Sequence, residues 1–325
     1  MVLDFLLLVL GLALLVGGGE MLVRGASSLA TAVGVPRLII GLTLVAFGTS
    51  TPELAVNVIA AWMGRGGVSF GNITGSNMAN IGLILGLSAL VRPIRVDAGA
   101  VRREIPMMLL ATGVTVALGI DRLWGAPADV YHRGDGLVLL LLLAVFLYYN
   151  AVDLMRSRAE ERLLREMNGA LPPRAGRGPA RDILLSLAGV AALGAGGRLA
   201  VVGAVGLARA AGVPETIIGL TLIAVGTSLP ELATSLVAVW RDQPDIAIGN
   251  VVGSNIFNLL CVLAVSALIR PVPVPAGGRG DLAAVSLLSL LLFPIAASDK
   301  RRIVRAEGAL LLAIYLAYIG WRALG

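Results

Sequence analysis

This chain repeatedly runs for 15 residues or more without a charged side chain, as at 66–91, 105–120, 136–152, 183–197, 246–269 and 282–298. A helix that crosses a bilayer needs roughly 20 mostly apolar residues, so runs of this kind direct the chain into a membrane. Composition agrees: 14% of the 325 residues are charged and 57% are hydrophobic, against roughly 25% charged in an ordinary soluble domain. Disorder is excluded, because disordered chains are polar. The one cysteine, Cys261, rules out a disulfide scaffold or a multi-cysteine metal site. The one histidine, His132, removes His-rich zinc or iron chemistry. The N-terminus is apolar but lacks a basic leader, and reads as a retained first helix rather than a signal peptide.

The expected spans are 2–22 (or on to 33), 37–63, 67–91, 104–120, 136–154, 182–208, 213–240, 245–270, 281–297 and 303–321. The expected fold is therefore an all-α polytopic membrane protein of ten transmembrane helices, with both termini on one side. The formal net charge of +6 would suggest nucleic acid in a soluble protein. No basic stretch here is interleaved with aromatics, so the arginines are read as orientation signals and nucleic acid is not expected as a partner. Placing the 155–181 loop in the cytoplasm puts 18 basic residues on that side and seven on the other. Cytoplasmic loops are the basic ones, so both termini are expected outside a plasma (inner) membrane. The division is then 1–154, the 155–181 loop, and 182–325.

Residues 34–94 align with 212–272 without a gap, at a constant offset of 178 and with 31 identities. GLTLVAFGTSTPELA (41–55) and GNITGSNMAN (71–80) return as GLTLIAVGTSLPELA (219–233) and GNVVGSNIFN (249–258). The matched second and seventh helices are five spans apart, an odd number, so the copies cross the membrane in opposite directions. Two inverted five-helix repeats, with helices two, three, seven and eight broken, point to a transporter with its site at the midplane.

Glu53 and Glu231 lie inside apolar helices, where an ionised carboxylate is costly and marks function. Neither 38–64 nor 213–240 contains Lys or Arg, so the pair is either protonated or holds a cation. Thr49 and Ser50 precede Glu53 by four and three positions, and Thr227 and Ser228 precede Glu231 likewise; both spacings share a helical face. Pro52 and Pro230 lack an N–H, so the carbonyls of Gly48 and Gly226 lose their usual donors. Ser76 and Asn80 are four apart, as are Ser254 and Asn258. Gly71–Gly75 and Gly249–Gly253 read as sites of close helix approach. Asn72, Asn77, Asn250 and Asn255 either bridge helices or face the site. The ligand inventory is oxygen without sulfur or imidazole, which suits calcium and other hard cations, sodium included. Two carboxylates are neutralised by one calcium, two sodium ions or two protons, which is the logic of competitive exchange.

At these residues the chain resembles the cation/calcium exchanger superfamily, specifically its prokaryotic sodium/calcium exchanger-like members. GTSTPEL and GTSLPEL with the paired GSNxxN motifs carry the resemblance. It implies antiport of calcium against sodium or protons by alternating access, helices one and six sliding across a core of helices two, three, seven and eight. It implies no cofactor and no enzymatic activity; the partners are inorganic cations and the lipid bilayer. Carried over by motif position, the ligands are the side chains of Glu53, Glu231, Ser50, Ser228, Ser76, Ser254 and Asn80, with Asn258 as the counterpart of Asn80. Backbone carbonyls come from Ala46, Thr49, Ala224 and Thr227. Some members carry aspartate at the position of Asn258. Its absence here removes one proton or sodium partner and leaves the coupling ion open. Proton- or potassium-coupled antiport on the same scaffold is the alternative; a cation-binding membrane scaffold without transport is the alternative of a different class. Glu20 and Arg198 are equivalent under the same offset and read as charges near helix ends that snorkel to water. Trp62 and Trp240, also equivalent, read as interface anchors.

Overall fold

The computed structural model describes residues 1–167, 179–212, 226–298 and 301–324. Within them the chain is mostly helical: α1 (Val2–Val33), α2 (Arg37–Thr49), α3 (Thr51–Trp62), α4 (Gly66–Val91), α5 (Ile105–Leu118), α6 (Arg133–Met167), α7 (Pro179–Ala210), α8 (Leu229–Trp240), α9 (Pro244–Ile269), α10 (Gly278–Ala296) and α11 (Arg305–Leu324). Six of these, α1, α4, α6, α7, α9 and α10, are long and apolar enough to cross a membrane; the bent pair α2–α3 makes a seventh. α4 and α9 are mostly enclosed, while α1 and α6 are mostly surface. That surface on α1 includes Leu3, Phe5, Leu6, Val9, Leu10 and Leu12. Apolar surface this extensive belongs against lipid.

The first helix runs to Val33, the longer of its two expected ends. It stops at Gly34, whose φ of 71° is a left-handed cap that glycine enters without a Cβ clash. The second helix is cut at Ser50 (φ −86°, ψ 7°), and its halves diverge by 45°. Pro52 is the cause: without its N–H the ladder skips Gly48 and resumes with Leu54 N–H donating to Ser50 O at 3.1 Å. Ser228 repeats this backbone (φ −91°, ψ 6°) ahead of Pro230, with Leu232 N–H donating to Ser228 O at 3.0 Å.

The breaks expected in helices three and eight are absent. α4 and α9 are continuous, each with one wide π-helical turn, at Ala79–Leu85 and Asn258–Val262. The GSNxxN segment contains no proline, so the ladder widens by a residue instead of losing a donor. The expected 155–181 loop is also corrected in part: α6 continues as helix to Met167, and α7 begins at Pro179.

Two arrangements recur between the halves. α1 and α7 pack antiparallel along glycines spaced by seven: Gly11, Gly18 and Gly25 against Gly189, Gly196 and Gly203. The two sets differ by 178, so the offset of the motifs extends into these helices. A Cβ at Gly18 would stand 2.9 Å from the Gly189 carbonyl oxygen, and one at Gly196 would stand 2.9 Å from that of Gly11. Only glycine lets the backbones approach so closely. Short strands then cross between halves. β1 (Ile94–Arg95), after α4, pairs antiparallel with β4 (Arg302–Ile303), before α11. β3 (Val272–Pro273), after α9, pairs with β2 (Val130–Tyr131), before α6. α6 accordingly lies on α9, with Gly136 against Ala264, and α11 lies on α4, with Gly308 against Gly86.

Candidate functional site

The bend in α2–α3 and the matching turn at Ser228 bring both GTSxPE segments against the enclosed helices α4 and α9. Glu53 and Glu231 lie one position past Pro52 and Pro230, on the first turns of α3 and α8. Both are buried, at 2% and 1% exposure. The serines do not serve the glutamate of their own helix. Ser50 Oγ donates to Glu231 Oε1 at 2.9 Å, and Ser228 Oγ lies 3.5 Å from Glu53 Oε1 and 3.2 Å from Ser76 Oγ. The first contact is an ordinary hydrogen bond and the second a loose one.

A second tier fixes the turns that carry these serines. Thr49 Oγ1 donates to Asn250 Oδ1 at 3.0 Å, and Thr227 Oγ1 donates to Asn72 Oδ1 at 3.1 Å. Asn250 Nδ2 donates in turn to Ser235 Oγ (3.0 Å) and to the Glu231 carbonyl (3.3 Å). The Glu53 carbonyl is held differently, by Asn57 Nδ2 at 2.7 Å, with Ser69 Oγ donating to Asn57 Oδ1 at 2.8 Å. Asn80 Nδ2 donates to Asn255 Oδ1 at 2.9 Å, joining α4 to α9.

Several buried oxygens are left without a hydrogen-bond partner: Glu53 Oε2, Glu231 Oε2, Asn80 Oδ1, Ser254 Oγ and Asn258 Oδ1. A buried polar atom without a partner costs on the order of 1–3 kcal/mol, more when charged, so a cluster of them calls for a ligand. Oxygens of this kind are the donor type that hard cations take; the Asn72 amide nitrogen, beside Thr227, is unpartnered as well. The twelve expected ligands divide accordingly. Glu53, Glu231, Ser50, Ser228, Ser76, Ser254, Asn80 and Asn258 are all buried on the facing segments of α2–α3, α4, α8 and α9. Thr49 and Thr227 have hydroxyls that clamp Asn250 and Asn72. The Ala46 carbonyl accepts from Ser50 N–H (3.0 Å) and Thr49 Oγ1 (3.3 Å). Ala224 lies outside the described residues.

The sequence leaves Asn72 and Asn250 undecided and does not single out Asn57, Ser69 or Ser235. The offset of 178 pairs Asn72 with Asn250 and Asn57 with Ser235; that pairing of polar residues inside apolar helices was the available signal. The close-approach reading of the glycines fits Gly249 and Gly253. A Cβ there would stand 2.8 Å from the Leu38 carbonyl oxygen and 2.6 Å from the Leu42 carbonyl oxygen.

A cavity of about 440 Å³ reaches this region from one side, between α7 and the breaks at Pro52 and Pro230. Its floor includes Gly226 and Thr227, next to Ser228. The equivalent place on the other side is filled. Gly19 of α1 faces Ala233 and Val237 of α8, whereas its counterpart Gly197 faces Pro230 and Gly226 rather than α3.

The sodium/calcium exchanger protein family matches this chain over residues 3–152 and 182–324. The chain is 32% identical over 344 residues to the sodium/calcium exchanger MaX1 of Methanosarcina acetivorans, with 97% of each covered. It is 37% identical over 328 residues to the inner membrane protein YrbG of Escherichia coli, covering 99% of this chain and 98% of that one. Its fold superposes on a solved structure of the sodium-calcium exchanger NCX_Mj with a TM-score of 0.82 and 33% identity, over 98% of each chain.

Proposed function

The chain belongs to the sodium/calcium exchanger protein family, and on that premise we propose that it is a secondary active antiporter exchanging calcium for sodium by alternating access. The observation that carries this reading is the crossed arrangement of the two motifs, in which each glutamate meets the other repeat's serine and keeps one oxygen unpartnered. A calcium ion, or two sodium ions, supplies the charge that two buried carboxylates need. Neither can leave without the other entering, because the bare pair is too costly at membrane depth. That exclusion is what couples the two fluxes.

Ten spans in two inverted five-helix repeats, 1–154 and 182–325, accommodate the recurring α1–α7 and strand contacts. The shorter or more polar helices α5, α8 and α11 complete the count. The arginine bias favours an inner membrane with both termini outside and the 155–181 segment cytoplasmic. The glycine seam makes α1 and α7 one body, and a cavity on one side with packing on the other suits a two-state carrier. In that orientation the open side is the outer one.

The test is calcium flux in liposomes with sodium, potassium and proton gradients imposed separately. An outward sodium gradient drives calcium uptake on this reading. Uptake driven by a pH gradient and indifferent to sodium replaces sodium by protons as the coupling ion. Calcium binding without flux under any gradient overturns antiport in favour of a binding scaffold.

A further inference from the structure

We propose that Arg198 tunes the outer approach as a fixed positive charge that lowers the local concentration of each divalent cation more steeply than that of each monovalent one, and so sets the external calcium and sodium concentrations at which the site loads. The proposal rests on the antiport reading above. Arg198 lines the cavity whose floor is Gly226, Thr227 and Pro230, the turn that also carries Ser228 and Glu231. Among the described residues it is the cavity's one charged lining residue; the others are glycine, proline, alanine, valine and Thr227. It is exposed, and among the described residues it has no acidic partner.

Its counterpart under the offset of 178 is treated in the opposite way. Glu20 is a carboxylate on the closed side, where Arg241 Nε donates to its Oε2 at 2.8 Å and Arg24 pairs with it along α1. The same position thus carries an uncompensated positive charge beside the open cavity and a neutralised negative one where the helices are packed.

A fixed charge biases the local concentration of each mobile ion by a factor that is raised to the power of that ion's valence. At roughly 8–10 Å through water, one unit charge depletes a monovalent cation about twofold and a divalent cation about fourfold. Salt narrows both factors, since the screening length is about 10 Å at 0.1 M. Arg198 therefore raises the calcium concentration needed at the outer face more than it raises the sodium concentration. Two sodium ions carry the same charge as one calcium, so the balance between the two loaded states is unchanged; what Arg198 sets is the external concentration at which each ion loads, calcium more steeply than sodium.

The experiment measures calcium uptake into right-side-out vesicles at low ionic strength. It reads half-saturating external calcium and half-inhibiting external sodium for the wild type, Arg198→Gln, Arg198→Met and Arg198→Lys. The two neutral variants lower the calcium value about fourfold and the sodium value about twofold, Arg198→Lys matches the wild type, and 0.5 M choline chloride narrows the differences. Equal shifts for the two ions, no shift in either neutral variant, or a loss in Arg198→Lys as well overturns the proposal. Arg198→Met supplies the reading if Arg198→Gln does not fold. A wild type with no sodium-dependent flux overturns the antiport reading instead. In that case ⁴⁵Ca association rates of purified wild type and variants test the charge separately, a rise of less than twofold on neutralisation overturning it.

Discussion

Ser50 of the first motif copy donates its hydroxyl proton to the Glu231 carboxylate of the second, across 2.9 Å and 181 positions of sequence. The bond makes the proposed cation site a joint product of both copies. Glu53→Gln or Glu231→Gln keeps the volume and removes one of two charges. Each change should weaken calcium binding by at least about 3 kcal/mol, roughly a hundredfold, and take exchange in liposomes to background. Normal exchange by either variant would show that the ions bind elsewhere.

The serines are not equivalent in this structure, and their alanine variants should differ. Ser50→Ala removes the one short bond to Glu231, at a cost of about 1.5–3 kcal/mol for a hydrogen bond to a charged group. Ser228→Ala removes two long contacts, of 3.5 and 3.2 Å, and should cost about 1 kcal/mol or less. Calcium titrations of the two purified variants check the order; a larger loss in Ser228→Ala would reverse it.

The α1–α7 seam tolerates no side chain. Gly18→Ala places a methyl 2.9 Å from the Gly189 carbonyl oxygen, and overpacking of this kind costs about 1–3 kcal/mol. Thermal unfolding in detergent should occur several degrees lower. Gly17→Ala, where no neighbour lies within 4 Å, should leave it unchanged.

Outside the membrane, Asp129 ties the loop before β2 to the start of α10. The side chain of Arg279 holds the Asp129 carboxyl below the usual carboxylate range, with Nε donating at 2.7 Å, and the Arg122 backbone N–H adds to this at 2.8 Å. A lowered folded-state value means that the stabilisation is complete above the ordinary aspartate pKa of about 3.9 and disappears as pH falls through the depressed value. Asp129→Asn should therefore melt below the wild type at pH 7, with the gap closing as the pH drops below about 4. A gap that stays constant across that range would assign the loss to packing.

Much of this was legible along the chain because it depends on local chemistry. Apolar runs, the arginine bias and an ungapped offset of 178 are all written in order. So is the lost donor behind the break at Ser50, since a proline removes an N–H from its own helix wherever that helix lies. The continuity of α4 and α9 departs from the expected breaks, because GSNxxN supplies polar side chains and glycine but no residue that deletes a donor.

The order of residues already names the groups available: two carboxylates in apolar helices, each with a hydroxyl three positions before it and a proline one position before it. Spacing of three and four places side chains on one face of a helix but does not say which helix that face meets. Packing between helices is what gives Ser50 to Glu231 and not to Glu53, and sets Asn250 and Asn72 against Thr49 and Thr227. The tertiary structure alone shows that α1 is packed against α8 while a cavity parts α7 from α3. Those choices follow from how closely backbones approach, at Gly249 and Gly253 beside α2 and along the glycine seam of α1 and α7. Close approach is a property of two surfaces together, which no single stretch of sequence carries.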